Sequence, residues 1–399
     1  MSLSMGVLQA LRWVTTILWS FILMENIYTR LKRNDELKLL YSEFLAGNPG
    51  NIYWLNRAGH FALSISDYKY AEQRFEQAFQ KSNSSGTPSL EAFNGYLEAL
   101  LLSKQTDKLF EQANIHLTDS LAPIAYLQMA DAENRRGNAD AAVKYARNAA
   151  DAIQKDETLY QTLKAMIKVI GQKNFEAYAA QRLSKEPSNL PVLMVNYELQ
   201  LSVGDFDQAI ETIDKCIEIT KNDPNRQVSL MVQKASIYYG AFAKTSDKNY
   251  IQKAIQQYES VIGRLPKNNR SADVLNNLAY MLADSNDRPG DAVKYIQEAV
   301  SINPSNPDYA ETYAFVLYKN GKFSEAQQYI QSAIQLFNVQ QRKISWKVFE
   351  HAALISEKLN SRLQAIAYYK DALQAGLNEM SNAEKTAVNN AIERLSKEE

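Results

Sequence analysis

Small and apolar residues recur along the chain at spacings of four and three. Residues spaced in this way lie on one face of an α-helix. Seven such sets occur: Ala71, Phe75, Ala78; Ala142, Ala146, Ala149; Ala209, Ile213, Cys216; Ala254, Tyr258, Val261; Ala292, Ile296, Ala299; Ala326, Ile330, Ala333; and Ala365, Tyr369, Ala372. Because alanine lets two helices approach closely while a larger residue fills the groove between them, the pattern predicts stacked helices.

Helix-breaking residues divide this pattern into units. Gly137, Gly171 and Gly204 lie 34 and 33 residues apart. Prolines continue the division at similar intervals: Pro49, Pro88, Pro123, Pro187, Pro224, Pro266 and Pro304. A period of roughly 34 residues holds two short helices and two turns. Proline belongs between such hairpins, and glycine suits the tight turn inside one. With only 14 glycines and 10 prolines, the sequence predicts an all-α chain of helical hairpins.

These units resemble the tetratricopeptide repeat (TPR), and bacterial TPR proteins in particular. In the clearest unit, Ala314 occupies the small position of the first helix, Gly321 the turn and Ala326 the small position of the second helix. Gly59 occupies the first-helix position of an earlier unit. The resemblance implies a right-handed superhelical solenoid of about ten hairpins. We expect three parts: a hydrophobic helix in residues 1–33, the repeats in 34–380, and a capping helix in 381–399 that begins with a capping box of Ser381 and Glu384.

Some units depart from the repeat pattern. Leu109 stands where alanine is usual, and the unit at 158–183 is predicted to have a short second helix. An insertion at 243–249 is expected to lengthen the turn of its hairpin, and one extra residue falls near Asn286–Pro289. These departures leave the exact repeat boundaries open.

The most hydrophobic segment is residues 13–24, which is shorter than the roughly twenty residues of a membrane-spanning helix. The preferred interpretation is the first helix of the first hairpin, packed against a second helix at 34–47 that carries Leu37, Tyr41 and Phe44. The alternative is membrane association through residues 13–24, for which Arg30, Lys32 and Arg33 would be a positive flank.

Charge and cysteine content narrow the function. Lys and Arg total 44 against 45 Asp and Glu, for a net charge of −1, so no basic surplus indicates nucleic-acid binding. The lone Cys216 cannot form an internal disulfide, which fits the cytoplasm, with a membrane-associated or bacterial-envelope location as the alternative. Because Cys216 takes an alanine position, we expect it in the core.

No catalytic motif is apparent. His60, His116 and His351 are far apart and lack metal-ligand spacing, and no phosphate-binding or dinucleotide-binding loop occurs. The carboxylate pairs Asp131/Glu133 and Glu350/Glu357 are expected on solvated helix faces. The sequence therefore predicts a protein that is not an enzyme and that needs no cofactor and no metal.

The TPR resemblance implies that the first helices of successive hairpins line a concave groove. The candidate groove residues are Tyr53, Asn56, Arg57, His60, Gln128, Asp131, Arg135, Met194, Glu198, Asn276, Asn277, Tyr280, Glu311, Phe315, Tyr318 and Lys319. For Met194, Tyr280 and Phe315, packing against neighbouring helices is an equal alternative. Arg57 and Asn277 lie in distant repeats, which argues against the carboxylate clamp of chaperone-binding TPR proteins.

The resulting functional prediction is a non-catalytic scaffold or adaptor that binds a peptide or protein in its groove. Two alternatives remain. One is a membrane-associated assembly factor, for envelope assembly or polysaccharide export, held by the N-terminal helix. The other is the regulatory repeat part of a larger enzyme.

Overall fold

A computed structural model describes residues 20–153, 155–265, 270–285 and 288–397. These residues form 21 α-helices and no strand. The first helix, α1, is described over residues 20–30. The others are α2 (Asn34–Gly47), α3 (Ile52–Ser64), α4 (Tyr68–Ser84), α5 (Leu90–Leu102), α6 (Thr106–Asn114), α7 (Ala122–Arg135), α8 (Ala139–Asp151), α9 (Asp156–Ile170), α10 (Gln172–Lys185), α11 (Leu190–Ser202), α12 (Phe206–Ile219), α13 (Pro224–Thr245), α14 (Lys248–Arg264), α15 (Ala272–Asp284), α16 (Pro289–Ile302), α17 (Pro307–Lys319), α18 (Phe323–Val339), α19 (Trp346–Lys358), α20 (Arg362–Ala375) and α21 (Asn382–Lys397).

Consecutive helices pack as hairpins, and the predicted all-α fold is confirmed. The pairs in contact are α3–α4, α5–α6, α7–α8, α9–α10, α13–α14, α15–α16, α17–α18 and α19–α20. Gly137, Gly171 and Gly204 have φ angles between 78° and 83°, a backbone conformation that residues with a side chain rarely adopt. Gly137 and Gly171 stand between the two helices of a hairpin, as predicted, and Gly204 stands between α11 and α12.

The chain divides into two compact units, Met1–Val195 (unit 1) and Asn196–Glu399 (unit 2), with the boundary inside α11. The sequence predicts different boundaries, after residues 33 and 380. That division stays a prediction. Before α21, the backbone N–H of Ser381 donates to Glu384 Oε2 at 2.8 Å, and the backbone N–H of Glu384 donates to Ser381 Oγ at 3.3 Å. The predicted capping box is thus confirmed.

The small-residue pattern marks the core of both units. Every residue of the seven predicted sets is buried, and Tyr369, at 4%, is the most exposed of them. The tightest approach surrounds Phe75 of α4, which is fully buried. A Cβ atom on Gly59 of α3 would lie 2.7 Å from the Phe75 ring, and one on Gly95 of α5 would lie 2.5 Å from it. Glycine is therefore required on both sides of this ring.

The N-terminal helix packs on α2 and α3 through an aromatic cluster and a buried ion pair. The ring centroid of Phe21 lies 4.5 Å from that of Trp54. The Glu25 side chain is 5% exposed, and its carboxylate accepts two hydrogen bonds of 2.7 Å from the Arg57 guanidinium. The Tyr41 hydroxyl also donates to Glu25. Burial, followed by this hydrogen bond, raises the pKa of Tyr41, so its hydroxyl remains a donor.

For residues 20–30, this packing agrees with the first interpretation of the N-terminal segment. Residues 13–19 lie outside the described residues, so the interpretation of the whole segment 13–24 stays a prediction. The packing leaves one apolar stripe uncovered, because Leu23, Ile27 and Leu31 are 61%, 43% and 62% exposed. Across the described ranges, no helix has both the length and the apolarity to cross a membrane.

Two predictions about hairpin lengths were wrong. The insertion at 243–249 does not lengthen a turn: its first residues extend α13 to 22 residues, and Ser246 then ends the helix with a φ of 59°. Alanine and lysine in the insertion are good helix formers, which explains the extension. The second helix at 158–183 is not short, since α10 has 14 residues, whereas α6 has only 9. The prediction of one extra residue near Asn286–Pro289 stays untested, because Asn286 and Asp287 lie outside the described residues.

We predict that Gly95→Ala destabilises the protein by about 1–2 kcal/mol, since the new methyl group would overlap the Phe75 ring. Urea unfolding followed by far-UV circular dichroism measures the change. Gly47→Ala is the matched control in the same unit, because a Cβ atom there meets nothing within 4 Å. Equal stabilities of the two variants would contradict the packing described for Phe75.

We predict that Glu25→Gln destabilises the attachment of α1 by about 1–3 kcal/mol, because it leaves the partly exposed Arg57 without its anionic partner. Faster trypsin cleavage within residues 20–33 and a lower melting temperature would report the loss. Glu36→Gln removes an exposed ion pair with Arg33 and should change neither measurement. Identical cleavage rates for both variants would show that the buried pair does not hold α1.

Candidate functional site

Side chains from successive first helices contact one another within each unit. We call α3, α5, α7, α9, α11, α13, α15, α17 and α19 the first helices, and the helix after each the second helix. In unit 1, Asn56 Nδ2 donates to Glu91 Oε2 at 2.9 Å, joining α3 to α5. In unit 2, the Tyr309 hydroxyl donates to Asp273 Oδ1 at 2.5 Å, joining α17 to α15. Hydrogen bonds between side chains thus link neighbouring first helices in both units.

In unit 1, the four predicted residues of α3 lie together but are engaged with their neighbours. Arg57, besides its pair with Glu25, donates from Nη1 to the Tyr53 hydroxyl at 3.2 Å. The ring Nε2 of His60 lies 3.0 Å from Glu91 Oε1. Arg57 and His60 line a cleft of about 520 Å³ that also includes Glu25.

The remaining predicted residues before α13 do not form one cluster. Gln128 Nε2 donates to Asn94 Oδ1 at 3.0 Å, while Asp131 and Arg135 form an ion pair at 3.2 Å within α7. Met194 is half-buried in the part of α11 that belongs to unit 1, and Glu198 is half-buried in the part that belongs to unit 2.

Unit 1 also contains a cleft of about 370 Å³ between the second helices α8 and α10, which the sequence analysis missed. Lys144, Arg147, Arg182 and Lys185 contribute to its lining. An aspartate partly compensates this charge, because Arg182 Nη1 donates to Asp151 Oδ1 at 2.8 Å.

Unit 2 brings four predicted residues together in one cleft of about 280 Å³. We call it the polar cleft. It is lined by Ser236, Tyr239, Tyr258, Asn276, Asn277, Tyr280, Met281, Asp308, Glu311 and Thr312. Four of these are predicted residues: Asn276, Asn277, Tyr280 and Glu311. The first helices α13, α15 and α17 supply every lining residue except Tyr258 of α14.

A stack of aromatic rings continues from the polar cleft. The ring centroids of Tyr280 and Phe315 are 5.1 Å apart, and those of Phe315 and His351 are 4.2 Å apart. His351 Nδ1 also contacts the Glu311 carboxylate. Lys319 Nζ lies 5.2 Å from the centroid of the Phe315 ring. Phe315 is only 4% exposed, so it packs between neighbouring helices, which was the alternative interpretation of this residue.

Tyr318 lies apart from this stack. Its half-buried ring has its centroid 5.9 Å from that of Phe323, at the turn into α18. Burial raises the pKa of the Tyr318 hydroxyl.

A second cleft, of about 460 Å³, adjoins the polar cleft in unit 2. We call it the apolar cleft. Its lining is Tyr197, Glu198, Leu201, Phe206, Val232, Gln233, Ser236, Ile237 and Gly240. Ser236 lines both clefts, so they are neighbours along α13. The predicted residue Glu198 belongs to this second cleft.

Two residues that sequence reasoning missed, His351 and Ser236, occupy positions equivalent to those of predicted residues. Asn277 precedes the buried Ala279 by two residues, and His351 precedes the buried Ala353 by the same interval. Ser236 follows the buried Ala235 directly, as Tyr280 follows Ala279. Counting from the small residue of every first helix would therefore have identified them.

The polar cleft presents hydrogen-bond acceptors in a sheltered setting. Asn276 Oδ1 is buried and has no hydrogen-bond partner among the residues that the structure describes. Burial raises the pKa of Tyr239 and of Tyr280, so both hydroxyls stay protonated. The Tyr239 hydroxyl lies 3.4 Å from Asp284 Oδ2, to which it donates. Asp308 Oδ2 accepts a hydrogen bond of 2.8 Å from the Arg342 guanidinium.

Two residues that the sequence analysis considered for chemistry, Cys216 and Glu133, are buried in the fold. Cys216 is fully buried, which confirms its predicted place in the core, and burial raises the pKa of its thiol to about 12. The prediction of a solvated Glu133 was wrong: it is 8% exposed and accepts a 2.5 Å hydrogen bond from Asn138 Nδ2 at a turn. Within the described ranges, no cluster of three or more His, Cys, Asp and Glu side chains is placed to hold a metal ion.

Comparison with known sequences identifies the repeat. The family model of the tetratricopeptide repeat matches residues 198–223 and 272–306. A TPR repeat-containing protein of Pseudomonas aeruginosa is 26% identical over 167 residues, which cover 40% of this chain and 25% of that relative. The chain thus spans about a quarter of the length of that relative.

Three solved structures resemble parts of the chain at low similarity. PilW, a type IV pilus biogenesis factor, is 16% identical with a TM-score of 0.44, over 59% of this chain and 100% of its own. Yeast Tom70 is 14% identical with a TM-score of 0.40, over 95% of each chain. YrrB, a TPR protein with an unusual peptide-binding site, is 16% identical with a TM-score of 0.34, over 54% of this chain and 97% of its own. At scores below 0.5, these likenesses support no argument about this chain.

The repeat pattern, the hairpin fold and the matched segments define one class of protein. Residues 198–223 and 272–306 match the tetratricopeptide repeat, and the chain is similar to a bacterial TPR repeat-containing protein. Such repeats form protein–protein interaction scaffolds in general, and proteins built from them are generally non-catalytic.

Proposed function

We propose that this protein is a scaffold that binds an extended segment of a partner protein along α13, α15 and α17 of unit 2. The observation that carries the proposal is the pair of clefts that share Ser236, one polar and one apolar. We call the two adjoining clefts the binding strip; together they offer both apolar contact and directed hydrogen bonds. Such a combination suits recognition of an extended peptide.

The side chains of this strip are of the kinds that contribute most to binding. Tyr239 and Tyr280 provide rigid aromatic area with a polar tip, which costs little conformational entropy on binding. The buried acceptor on Asn276 gains a hydrogen bond when a partner supplies a donor. An acceptor buried without a partner is unfavourable, so occupation of the cleft would remove that cost.

Unit 1 supports the proposal less. Its predicted residues Arg57 and His60 already contact Glu25 and Glu91, respectively. A partner would have to displace these contacts before it could use the side chains. We therefore propose that unit 1 mainly serves to hold the array together and that unit 2 provides the principal binding strip.

Site-specific photo-crosslinking in native lysate tests the proposed location. We predict that p-benzoylphenylalanine at Asn277, inside the polar cleft, captures a discrete partner, because a bound segment passes within contact of this position. The matched position is Lys294 on the second helix α16, whose side chain is 81% exposed. Adducts at Asn277 and none at Lys294 would support binding along the first helices.

The identity of the adduct decides between specific and incidental capture. Mass spectrometry of the crosslinked peptide should place it in one extended segment of one protein. Adducts at Lys294 with none at Asn277 would contradict the proposed strip, and equal, heterogeneous adducts at both positions would contradict specific binding there.

A further inference from the structure

We propose that the polar cleft accepts an arginine or lysine side chain of the partner segment, while a large apolar side chain a few residues away enters the apolar cleft. This inference rests on the proposed function, since it names the partner chemistry that the same strip selects. The residues that line the two clefts carry it.

Charge is the first argument. The lining of the polar cleft includes two carboxylates, those of Asp308 and Glu311, and no lysine, arginine or histidine. Asp308 already pairs with the Arg342 guanidinium at 2.8 Å, so Glu311 is the main attracting charge. The Glu311 side chain is 13% exposed, so its charge acts where water screens it little. The ring Nδ1 of His351 contacts Oε1 of Glu311, whereas Oε2 lies 3.5 Å from Thr312 Oγ1, at the limit of hydrogen bonding. Glu311 therefore retains capacity to accept hydrogen bonds from a cation.

Hydrogen-bond geometry is the second argument. The buried Oδ1 of Asn276 has no donor among the described residues. The amide nitrogens of Asn276 and Asn277 already donate, to Asn277 Oδ1 at 3.5 Å and to the Tyr258 hydroxyl at 3.4 Å. A guanidinium carries five N–H donors and an ammonium carries three, with no acceptor on either. A basic side chain thus matches an acceptor-rich cleft better than an acidic or amide side chain would.

The aromatic walls are the third argument. A cation gains about 0.5–2 kcal/mol over the face of an aromatic ring. The chain already places a cation on this stack, because Lys319 Nζ lies 5.2 Å from the centroid of Phe315. Tyr280 stacks on the Phe315 ring and also lines the polar cleft. Its ring offers the next surface of the same kind to a partner's cation.

The sizes of the two clefts and their adjacency are the fourth argument, which concerns the apolar side chain of the partner segment. The polar cleft, at about 280 Å³, is smaller than the roughly 300–1,000 Å³ of sites that hold whole small-molecule ligands, which suits a single side chain. The adjoining apolar cleft is lined by Leu201, Phe206 and Val232. Because an extended peptide advances about 3.3 Å per residue, side chains one to about four residues apart can reach neighbouring clefts.

Purified full-length protein and a panel of fluorescein-labelled hexapeptides test the inference by fluorescence polarisation. Each peptide carries one leucine and one arginine, at every order and separation. Two matched panels replace the arginine with citrulline, which keeps the shape but removes the charge, or with glutamate. We expect at least one arrangement to bind about ten-fold or more tightly with arginine than with citrulline, the effect of a hydrogen bond to a charged group.

Variants then assign the charge effect to the cleft. Glu311→Gln should remove most of the arginine preference, and Asp308→Asn should reduce it. Glu325→Gln is the matched control, since it removes the same charge from an exposed position of the second helix α18. Thermal melting checks that each variant is folded, and the arginine–citrulline comparison on the unmodified protein needs no variant.

The outcomes separate this inference from the proposed function. Equal binding of arginine and citrulline peptides overturns the basic-side-chain inference but leaves a peptide-binding strip in place. Preferential binding of glutamate peptides also overturns it and would point to Lys319 and Arg342 as the attracting charges. Absence of binding by every peptide overturns the inference. The crosslinking experiment at Asn277 tests the proposed function independently of these peptides.

Discussion

Close approach between neighbouring helices is the constraint on which this structure depends. The Phe75 ring fills the space between α3 and α5 only because Gly59 and Gly95 carry no side chain. Elsewhere alanine has the same role, as Ala279 and Ala314 do in the first helices α15 and α17, where both are fully buried. A larger residue at these positions would separate the helices and open the core.

The same constraint builds the candidate site. Small residues fix the distance between two neighbouring first helices. The side chain next to the small residue in one helix therefore contacts the equivalent side chain in the other. Tyr280 and Phe315 each follow such an alanine directly, and their rings stack at 5.1 Å. The proposed binding strip of unit 2 is therefore a consequence of repeat packing, and the residues at these positions set its chemistry.

The sequence allowed the fold to be predicted well because helical periodicity and turn glycines are local signals. All seven small-residue sets are buried, and Gly137, Gly171 and Gly204 form the expected turns. The prediction failed where the repeat pattern and the helix propensity of a segment disagreed. The insertion at 243–249 contains good helix formers, and its first residues extend α13 to Thr245.

The site was only partly predictable, since its properties depend on contacts between distant residues. Arg57 was expected to face a partner, but it pairs with Glu25, 32 residues earlier in the chain. Residue spacing within a helix cannot predict such a pair. It also cannot predict that Glu133, near the turn after α7, is buried. In the sequence His351 is an isolated histidine, whereas in the fold it takes the position in α19 that Asn277 takes in α15.

A double-mutant cycle on Phe75 and Gly95 tests the central claim about close approach most directly. If the Phe75 ring is what excludes a side chain at position 95, Phe75→Leu should relieve most of the cost of Gly95→Ala. We predict a coupling free energy of about 1 kcal/mol or more between the two substitutions, measured by urea unfolding of the single and double variants. Additive costs, within about 0.5 kcal/mol, would contradict the claim that contact with this ring sets the spacing of α3, α4 and α5.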